Sequence, residues 1–257
     1  MAHPFRIEIS VDVEAEPEEV WEAITVGKQL DGWWIGAPNE VEPRLGGAVR
    51  QSFGGEISES TITAWDPQHH FSDEGAPGPD GAVHALEFTL EGRSGTTTVR
   101  FVHSGFLGDD WESEYEALSE GDAMYLHQLV QYVRFFRGRS VTTIEHYQPD
   151  LPDREAAMAI LRGAMGLGDA VAVGDKVRLE PAGLEPLHGT VDYVSKTIIG
   201  VRTADALYRF AFIPMGGGIY LGHHVYRADV DVAAVTSAWA AWLDRAIAAG
   251  QGASSPQ

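Results

Sequence analysis

The residue in this sequence whose type and position best suit chemistry is a histidine at the end of an apolar segment. In TTTVRFVHSGF (96–106), alternation puts His103 on the same strand face as Val99 and Phe101. Histidine titrates near neutral pH, so His103 with a nearby carboxylate would form a general acid or base. The alternatives are a polar contact for a ligand and a histidine bonded to the backbone near the strand end. No carboxylate partner and no nucleophile can be identified from the sequence, so we assign no catalytic residue.

Two histidine pairs, His69-His70 and His223-His224, are the other candidates for metal ligands. Adjacent residues on a strand point to opposite faces, so neither pair can readily chelate one ion. The chain has no cysteine, and it has no HExxH, GxSxG, GxGxxG or P-loop pattern. We therefore expect no metal and no cofactor. The alternating carboxylates within residues 109–116 are expected to form a solvated loop.

A pair of tryptophans follows the first amphipathic segment, at a turn where small polar residues are usual. The segment AEPEEVWEAITVGKQLDGWWIG (15–36) places Trp33 and Trp34 directly after Asp31-Gly32. Adjacent side chains cannot point the same way, so the two rings have different surroundings, and one reading is that both simply fill core. Further aromatic residues that could form an apolar wall are Phe53, Trp65, Phe88, Phe101 and Trp111.

A long amphipathic helix is predicted to face this aromatic wall. Ser119 and Asp122 have the spacing of a capping box, and Gly138 follows the last turn. The hydroxyl of Tyr125 lies beside the apolar stripe and is a further candidate for ligand contact. The stripe itself consists of Leu126, Leu129, Val130 and Val133.

Composition and charge exclude several classes of protein. The 257 residues are 44% hydrophobic and 22% charged, which is ordinary for a soluble globular protein. The net charge of −20 repels phosphate and anionic lipid, so we expect neither a nucleic-acid nor a membrane partner. The start, MAHPFRIEIS, lacks the pattern of a signal peptide, and no apolar run is long enough to span a bilayer. We therefore expect a cytoplasmic protein.

The elements of the first half predict a sheet with a helix across it. Residues 5–13 alternate as a half-buried strand, and a helix begins at Pro17. The stretch at 72–81, SDEGAPGPDG, is expected to be a mobile acidic loop. Four further strands are predicted, namely AVRQSF, STITAW, VHALEFTL and TTTVRFVH. A curved antiparallel sheet with the long helix laid over it buries both apolar faces.

The second half repeats this order of elements without visible sequence similarity. After a linker at 144–152, a helix begins at Asp153, five short strands follow, and a last helix spans about 231–248. A degenerate repeat and an α+β extension packed on the first lobe are the two alternatives. The last helix is expected to dock onto the first lobe, with docking onto a second chain as the alternative. The resulting domain boundaries are 1–140, 150–250 and a disordered tail at 251–257.

Several of these segments together resemble a known superfamily over residues 5–137. They are AEPEEVWEAIT, DGWWIG, the W-P of Trp65 and Pro67, HSGF at 103–106 and the closing LHQLVQYV. The chain is similar to the START-like (SRPBCC, Bet v 1-like) proteins, and within them to the branch of activator of Hsp90 ATPase homologues. The resemblance implies a helix-grip fold, which is an antiparallel sheet curled around a long helix with a hydrophobic cavity between them. It also implies that Trp34 closes the mouth of this cavity while Trp33 fills core, and that the aromatic residues named above line it. A single copy leaves the last 110 or so residues unexplained.

Three functions are compatible with these observations. We expect binding of a small hydrophobic molecule in an internal cavity between sheet and long helix, which requires only the hollow. A cyclase- or aromatase-type enzyme would need, in addition, a buried acid/base pair with shifted pKa values in that cavity. A protein-partner role, such as modulation of a chaperone ATPase or formation of a homodimer, would use an outer surface. Fold alone does not decide among them.

Overall fold

The chain is known from a computed structural model that describes residues 2–53, 56–79, 81–151, 153–214 and 216–253. It divides into two compact units, residues 1–139 and residues 140–257. Each unit contains one antiparallel sheet and its own helices, which confirms the α+β class. No helix within the described ranges has the length and apolar character needed to cross a membrane.

The N-terminal unit is a seven-stranded sheet packed with one long and two short helices. Its strands are β1 (His3–Val13), β2 (Asn39–Val41), β3 (Ala48–Phe53), β4 (Glu56–Asp66), β5 (His70–Gly75), β6 (Val83–Arg93) and β7 (Thr96–Leu107). Its helices are α1 (Pro17–Thr25), α2 (Gly27–Leu30) and α3 (Trp111–Phe135). The strand order is β1-β7-β6-β5-β4-β3-β2, and α3 packs against β1 and β7. This is the helix-grip arrangement that the resemblance implied.

The C-terminal unit has the same connectivity around a six-stranded sheet. Its elements are β8 (Thr142–Pro149), α4 (Arg154–Ala164), β9 (Lys176–Leu179), β10 (Leu187–Val194), β11 (Ile198–Arg202), β12 (Ala206–Ile213), β13 (Gly218–Val225) and α5 (Val232–Ala253). The strand order is β8-β13-β12-β11-β10-β9. In both units the first strand pairs with the last, the others follow in reverse order, and a long helix ends the unit. This shared topology is the one that a degenerate repeat predicts.

The first strand and the first helix form where the alternation of residues 5–13 and the proline at position 17 predicted them. In β1, Phe5 and Ile7 are buried while Arg6 and Glu8 are exposed, so the alternation does separate a core face from a solvent face. Helix α1 begins with Pro17 at its first position. Glu19 then accepts a hydrogen bond from the backbone N–H of Glu16, 3.2 Å away, which satisfies a donor that the helix itself cannot.

The predicted start of the long helix at Ser119 is wrong. Helix α3 begins eight residues earlier, at Trp111, and the Ser119 hydroxyl donates to the Tyr115 carbonyl (2.7 Å) inside the helix. The carboxylates expected in a solvated loop instead occupy its first turns, where Glu112 and Glu114 face the positive end of the helix dipole. Asp122, which was expected to be part of a cap, lies in the middle of α3 and contacts His103 on the sheet instead.

Three other boundaries also differ from the sequence predictions. The linker expected at 144–152 is largely strand β8, which pairs with β13 at the edge of the second sheet. Residues 72–75 of the loop expected at 72–81 belong to strand β5. Helix α5 extends through Ala253 into the predicted tail, and residues 254–257 lie outside the described part of the chain. Local composition marks polar and Gly/Pro-rich segments, but strand pairing overrides it.

The last helix contributes to the core of its own unit. Trp239 and Trp242 of α5 are buried, and their rings lie 5.6 and 5.5 Å from the ring of Phe210 on β12. Both tryptophans thus belong to the core of the second unit, and docking of α5 onto the first lobe stays a prediction. Helix α4 begins as predicted, with the Asp153 carboxylate accepting from the backbone N–H of Glu155 at 2.8 Å.

Glycine at 105 is required by the backbone, whereas glycine at 121 is not. Gly105 has φ +149°, and a Cβ there would overlap the carbonyl of Val83 on the neighbouring strand. Gly121 lies within α3 with open space around its Cβ position. We expect Gly105→Ala to lower the free energy of unfolding by about 2 kcal/mol or more, and Gly121→Ala to raise it by about 0.5–1 kcal/mol. Urea unfolding measures both, and an unchanged stability of Gly105→Ala would contradict the close approach of β6 and β7.

Candidate functional site

Two neighbouring rows of side chains cross the face of the N-terminal sheet that α3 covers. The first row is apolar and runs through Ile9, Phe101, Phe88, Phe71 and Trp65 on β1, β7, β6, β5 and β4. The second row runs through Ile7, His103, Leu86, Asp73 and Ile62 on the same strands. Residues directly opposite one another share a face. The second row therefore sets two titratable groups, His103 and Asp73, into an otherwise apolar surface.

Trp34 lies between this surface and α3. Its ring is 6.2 Å from that of Phe101, 6.5 Å from that of Phe88 and 5.1 Å from that of Tyr125 on α3. Phe88 and Phe101 also contact each other, with ring centroids 4.9 Å apart. Four of the residues expected to line a cavity, Trp34, Phe88, Phe101 and Tyr125, are thus brought together, and their rings fill the space between sheet and helix at this place.

Trp33 holds the turn in place while Trp34 faces the sheet. The Trp33 ring is 0% exposed, and its Nε1–H donates to the carbonyl of Ala23 on α1 at 2.8 Å. Its own carbonyl accepts from Nε2 of Gln128 on α3, also at 2.8 Å. A Cβ at Gly32 would overlap the ring of Tyr132, so only glycine lets the turn approach α3 this closely. Both rings are buried, but the one at position 33 carries these fixing hydrogen bonds.

A small recess lies beside Trp34, with a volume of about 10 Å³. This is room for roughly one water molecule, so the hollow expected from the resemblance is not confirmed at this place. The recess is lined by Ile24, Leu30, Trp34, Val49, Gln51, Phe71, Asp73, Leu86 and Phe88. Asp73 is the ionisable residue among them.

The buried carboxyl of Asp73 was not identified from the sequence. Its residue is 6% exposed, and the Ser60 hydroxyl donates to Oδ1 at 2.5 Å. Burial raises the pKa of Asp73 to about 6, against a smaller lowering by the Ser60 hydrogen bond and by His103. The composition of SDEGAPGPDG suggested a loop. The alternation of Phe71 and Asp73 was the available signal, since it places both on one face of a strand.

His103 has a carboxylate partner, and that partner is Asp122 on α3. Nδ1 of His103 lies 2.9 Å from Oδ2 of Asp122, and both residues are buried. Desolvation raises the pKa of Asp122, and the hydrogen bond from His103 opposes that rise. Nε2 of His103 lies 3.0 Å from Nδ1 of His84, whose Nε2 is 3.7 Å from Oε1 of Glu114. These contacts form a continuous series of polar side chains, from Asp122 on α3 through His103 on β7 and His84 on β6 to Glu114 on α3. We call this series the polar chain.

The hydrogen bonds of this chain assign its protons when Asp122 is ionised. Nδ1–H of His103 then donates to the carboxylate, and Nε2 of His103 accepts from Nδ1–H of His84. Both ring nitrogens of His103 are used, so His103 cannot act directly on a bound molecule in this arrangement. His84 is more accessible, with 39% of its side chain exposed. If the polar chain performs acid or base catalysis, His84 is therefore the group that would exchange a proton with a bound molecule, and His103 and Asp122 would support it.

The remaining predicted lining residues lie at different depths. On α3, Leu126 and Leu129 are fully buried, while Val130 and Val133 are half-buried. Trp65 is half-buried at the edge of the aromatic row, 5.0 Å from the ring of Trp21 on α1. Phe53 is the last residue of β3, and its side chain lies outside the described part of the structure.

The prediction that Trp111 lines the interior is wrong. It is the first residue of α3, it is 37% exposed, and it stacks on the ring of His3 at 5.1 Å. It was assigned to the interior because it is aromatic, but the earlier start of the helix puts it at the surface.

The histidine pair of the second unit is not arranged for a metal. His223 is buried among the rings of Tyr208, Phe210 and Trp239, which lie 4.9, 5.1 and 4.6 Å away. Burial lowers the pKa of His223 to about 3, so this imidazole is neutral at ordinary pH. Over the whole described part of the chain, no group of three or more His, Cys, Asp or Glu is placed to hold a metal ion.

The stability of the protein should report the ionisation of Asp73. Its folded pKa lies above its unfolded value, so its ionisation costs stability increasingly as pH rises from about 4 through about 6. A rise of this size corresponds to at most about 3 kcal/mol. We expect Asp73→Asn to be more stable than the parent by about 1–3 kcal/mol at pH 7 and nearly equal to it at pH 4. Urea unfolding at both pH values measures this, with the exposed neighbour Glu74→Gln as the control, and a difference independent of pH would contradict it.

Similarities to solved structures cover either half of the chain or nearly all of it. Protein MLL2253 from Mesorhizobium loti is 20% identical over 51% of this chain and 97% of its own, with a TM-score of 0.45. The Aha1 dimer from Colwellia psychrerythraea is 23% identical over 52% and 99%, with a TM-score of 0.43. The di-domain ARO/CYC protein BexL of the BE-7585A biosynthetic pathway is 15% identical over 95% and 97%, with a TM-score of 0.47. All three scores are below 0.5, and no function follows from them.

The comparison with protein families is more specific, although no match was found among curated proteins. Residues 14–134 match the model of the family described as Activator of Hsp90 ATPase homolog 1-like protein. That segment runs from the end of β1 to the last turn of α3, and it contains Trp33, Trp34, Asp73 and His103. This match to the Activator of Hsp90 ATPase homolog 1-like family lies within the N-terminal unit and confirms the resemblance seen in the sequence over residues 5–137.

Proposed function

We propose that the N-terminal unit binds a small, largely apolar molecule between its sheet and α3. The observation that supports this most is the aromatic wall of Phe71, Phe88 and Phe101 with a buried carboxyl, Asp73, set beside it. A buried ionisable group costs stability, so folding alone gives no reason for it. Ligand sites are built in this way, from apolar walls with a few polar groups that orient the bound molecule.

Binding requires Trp34 to move, because the recess beside it holds about one water molecule. The turn does not have to unfold for this to happen. Trp33 makes the hydrogen bonds to Ala23 and Gln128 that attach the turn to α1 and α3. A rotation of the Trp34 side chain leaves those bonds intact and exposes Phe88 and Phe101 to an incoming molecule. Side-chain changes of this kind are common at binding sites.

Titration with the fluorescent probe N-phenyl-1-naphthylamine tests binding directly. We expect the parent protein to bind one probe molecule per chain, with an affinity in the micromolar range. Phe101→Asp should abolish binding, because it places an uncompensated charge in the apolar wall. Trp34→Ala should bind the probe more tightly, because it removes the ring that has to move.

Trp239→Leu is the matched control, since it removes a buried tryptophan from the core of the other unit. It should lose stability and keep the probe affinity of the parent. Binding by Trp34→Ala alone, with none by the parent, would show only an engineered cavity and would contradict the proposal.

A cyclase- or aromatase-type reaction is the second candidate, and the chain of Asp122, His103 and His84 favours it. An enzyme of this type needs a buried acid/base pair, and such a pair is present, with the pKa of Asp122 raised by desolvation. The chemistry it suits is removal of a proton next to a carbonyl group, with His84 as the base.

Exchange of the α-protons of 2-tetralone in D₂O, followed by NMR, tests this second candidate. We expect exchange to be faster than in buffer, with His84→Gln and Asp122→Asn each reducing the acceleration by about 100-fold. His69→Gln on the turn before β5 is the control, and it should leave the rate unchanged. Equal exchange rates for the parent and all three variants would contradict this candidate and would show that the polar chain has only a structural role.

The family description also raises modulation of a chaperone ATPase, which would use an outer surface. Such a surface should carry a basic or apolar cluster, whereas the chain has a net charge of −20. The interior therefore supports the first two candidates better, and a homodimer stays a prediction from the sequence.

A further inference from the structure

The recess beside Trp34 has a distinct chemical composition. Three aromatic rings, Trp34, Phe71 and Phe88, and one carboxyl, that of Asp73, line it together with aliphatic residues and Gln51. The nine lining residues include no lysine or arginine. A site of this composition offers a negative charge and aromatic faces, both of which attract cations.

In the described part of the chain, no lysine or arginine forms an ion pair with Asp73, and His103 balances its charge only weakly. Within the described residues, the hydrogen-bond partner of its side chain is Ser60, which is neutral and contacts Oδ1 alone. His103 is in the same row of the sheet, but its two nitrogens are engaged by Asp122 and His84. A protonated His103 would first compensate Asp122, to which it is bonded. The second oxygen of Asp73, Oδ2, is therefore left for a group that comes from outside.

We propose that this site takes a protonated organic amine with a flat apolar body. The ammonium group lies against Asp73, and the body lies against Phe71 and Phe88 after Trp34 has moved. An ammonium group is about as large as a water molecule, so it fits the existing space of about 10 Å³. The net charge of −20 also attracts cations and repels carboxylic acids. This inference rests on the proposed binding function and specifies its ligand class.

Four ligands that share one naphthalene body separate the contributions of the polar group and of the body. They are 2-naphthylmethylamine, 2-naphthol, 2-naphthoic acid and 2-methylnaphthalene, each titrated by calorimetry at pH 7. We expect the amine to bind at least about 10-fold more tightly than 2-methylnaphthalene, the naphthol to lie between them, and the acid to bind most weakly. Asp73→Asn should remove the advantage of the amine and leave the affinity for 2-methylnaphthalene unchanged.

Glu74→Gln is the matched control, because it removes the same charge from the exposed side of the same strand. It should keep the preference for the amine. An equal loss in Glu74→Gln and Asp73→Asn would mean attraction by overall charge and would overturn the proposal. If no naphthalene compound binds, the proposed function itself fails. If all four bind alike, or the acid binds best, the function stands and the assignment of an amine is wrong.

The pH dependence provides a second readout. The groups that face Asp73 are Ser60 from β4 and His103 from β7, with Asp122 of α3 behind the histidine. Because burial raises the pKa of Asp73 to about 6, its carboxylate is lost between pH 7 and pH 5. Affinity for the amine should fall about 10-fold over that interval, and affinity for 2-methylnaphthalene should not. A fall that persists in Asp73→Asn would belong to another group and would contradict the proposal.

Discussion

The burial of one carboxyl, Asp73, in the aromatic face of the N-terminal sheet is the constraint on which this account depends. Phe71 precedes it by two positions on β5, Phe88 lies beside Phe71 on the neighbouring β6, and residues of α1, α2 and the tryptophan turn also line the recess. Ionisation in such surroundings is costly, which is why the pKa of Asp73 is raised to about 6. Ser60 compensates one oxygen in part. The protein thus keeps an unfavourable charge at the point where its interior has room for about one water molecule.

The contacts of the rest of the unit fix the backbone around this place, whereas the proposed binding function requires the Trp34 side chain to move. Trp33 fastens the turn to α1 and α3 through two hydrogen bonds, and Gly32 allows the close approach. The polar chain from Asp122 through His103 and His84 fixes α3 to β7 and β6 at a second point. Trp34 stands between these two attachments. In the proposed function, the sheet and the helix stay fixed on both sides of Trp34 while its ring moves aside for the ligand.

The sequence predicts the elements whose signals are local, and it misses those set by distant contacts. The alternation of residues 5–13 and the cap at Asp153 are signals of neighbouring residues, and both elements form as predicted. The segments of β5 and β8 have a composition that favours a loop. They are nevertheless strands, because β5 pairs with β6 and β8 pairs with β13.

The same distinction between local signals and distant contacts explains which parts of the candidate site could be predicted from the sequence. The shared face of Val99, Phe101 and His103 follows from the period of a strand and is correct. The partner of His103 could not be found, since Asp122 is 19 positions away and comes near only when α3 crosses the sheet. Trp111 was misplaced because an aromatic side chain alone does not distinguish core from surface.

A direct titration of the Asp73 carboxyl is the most decisive measurement. The ¹³Cγ chemical shift of labelled aspartate, assigned by its loss in Asp73→Asn, reports that single group between pH 3 and pH 8. Burial in the aromatic wall predicts a midpoint of about 6. A midpoint near 4, the value of an aspartate in water, would show that the carboxyl is solvated and that the recess is not the apolar site described above.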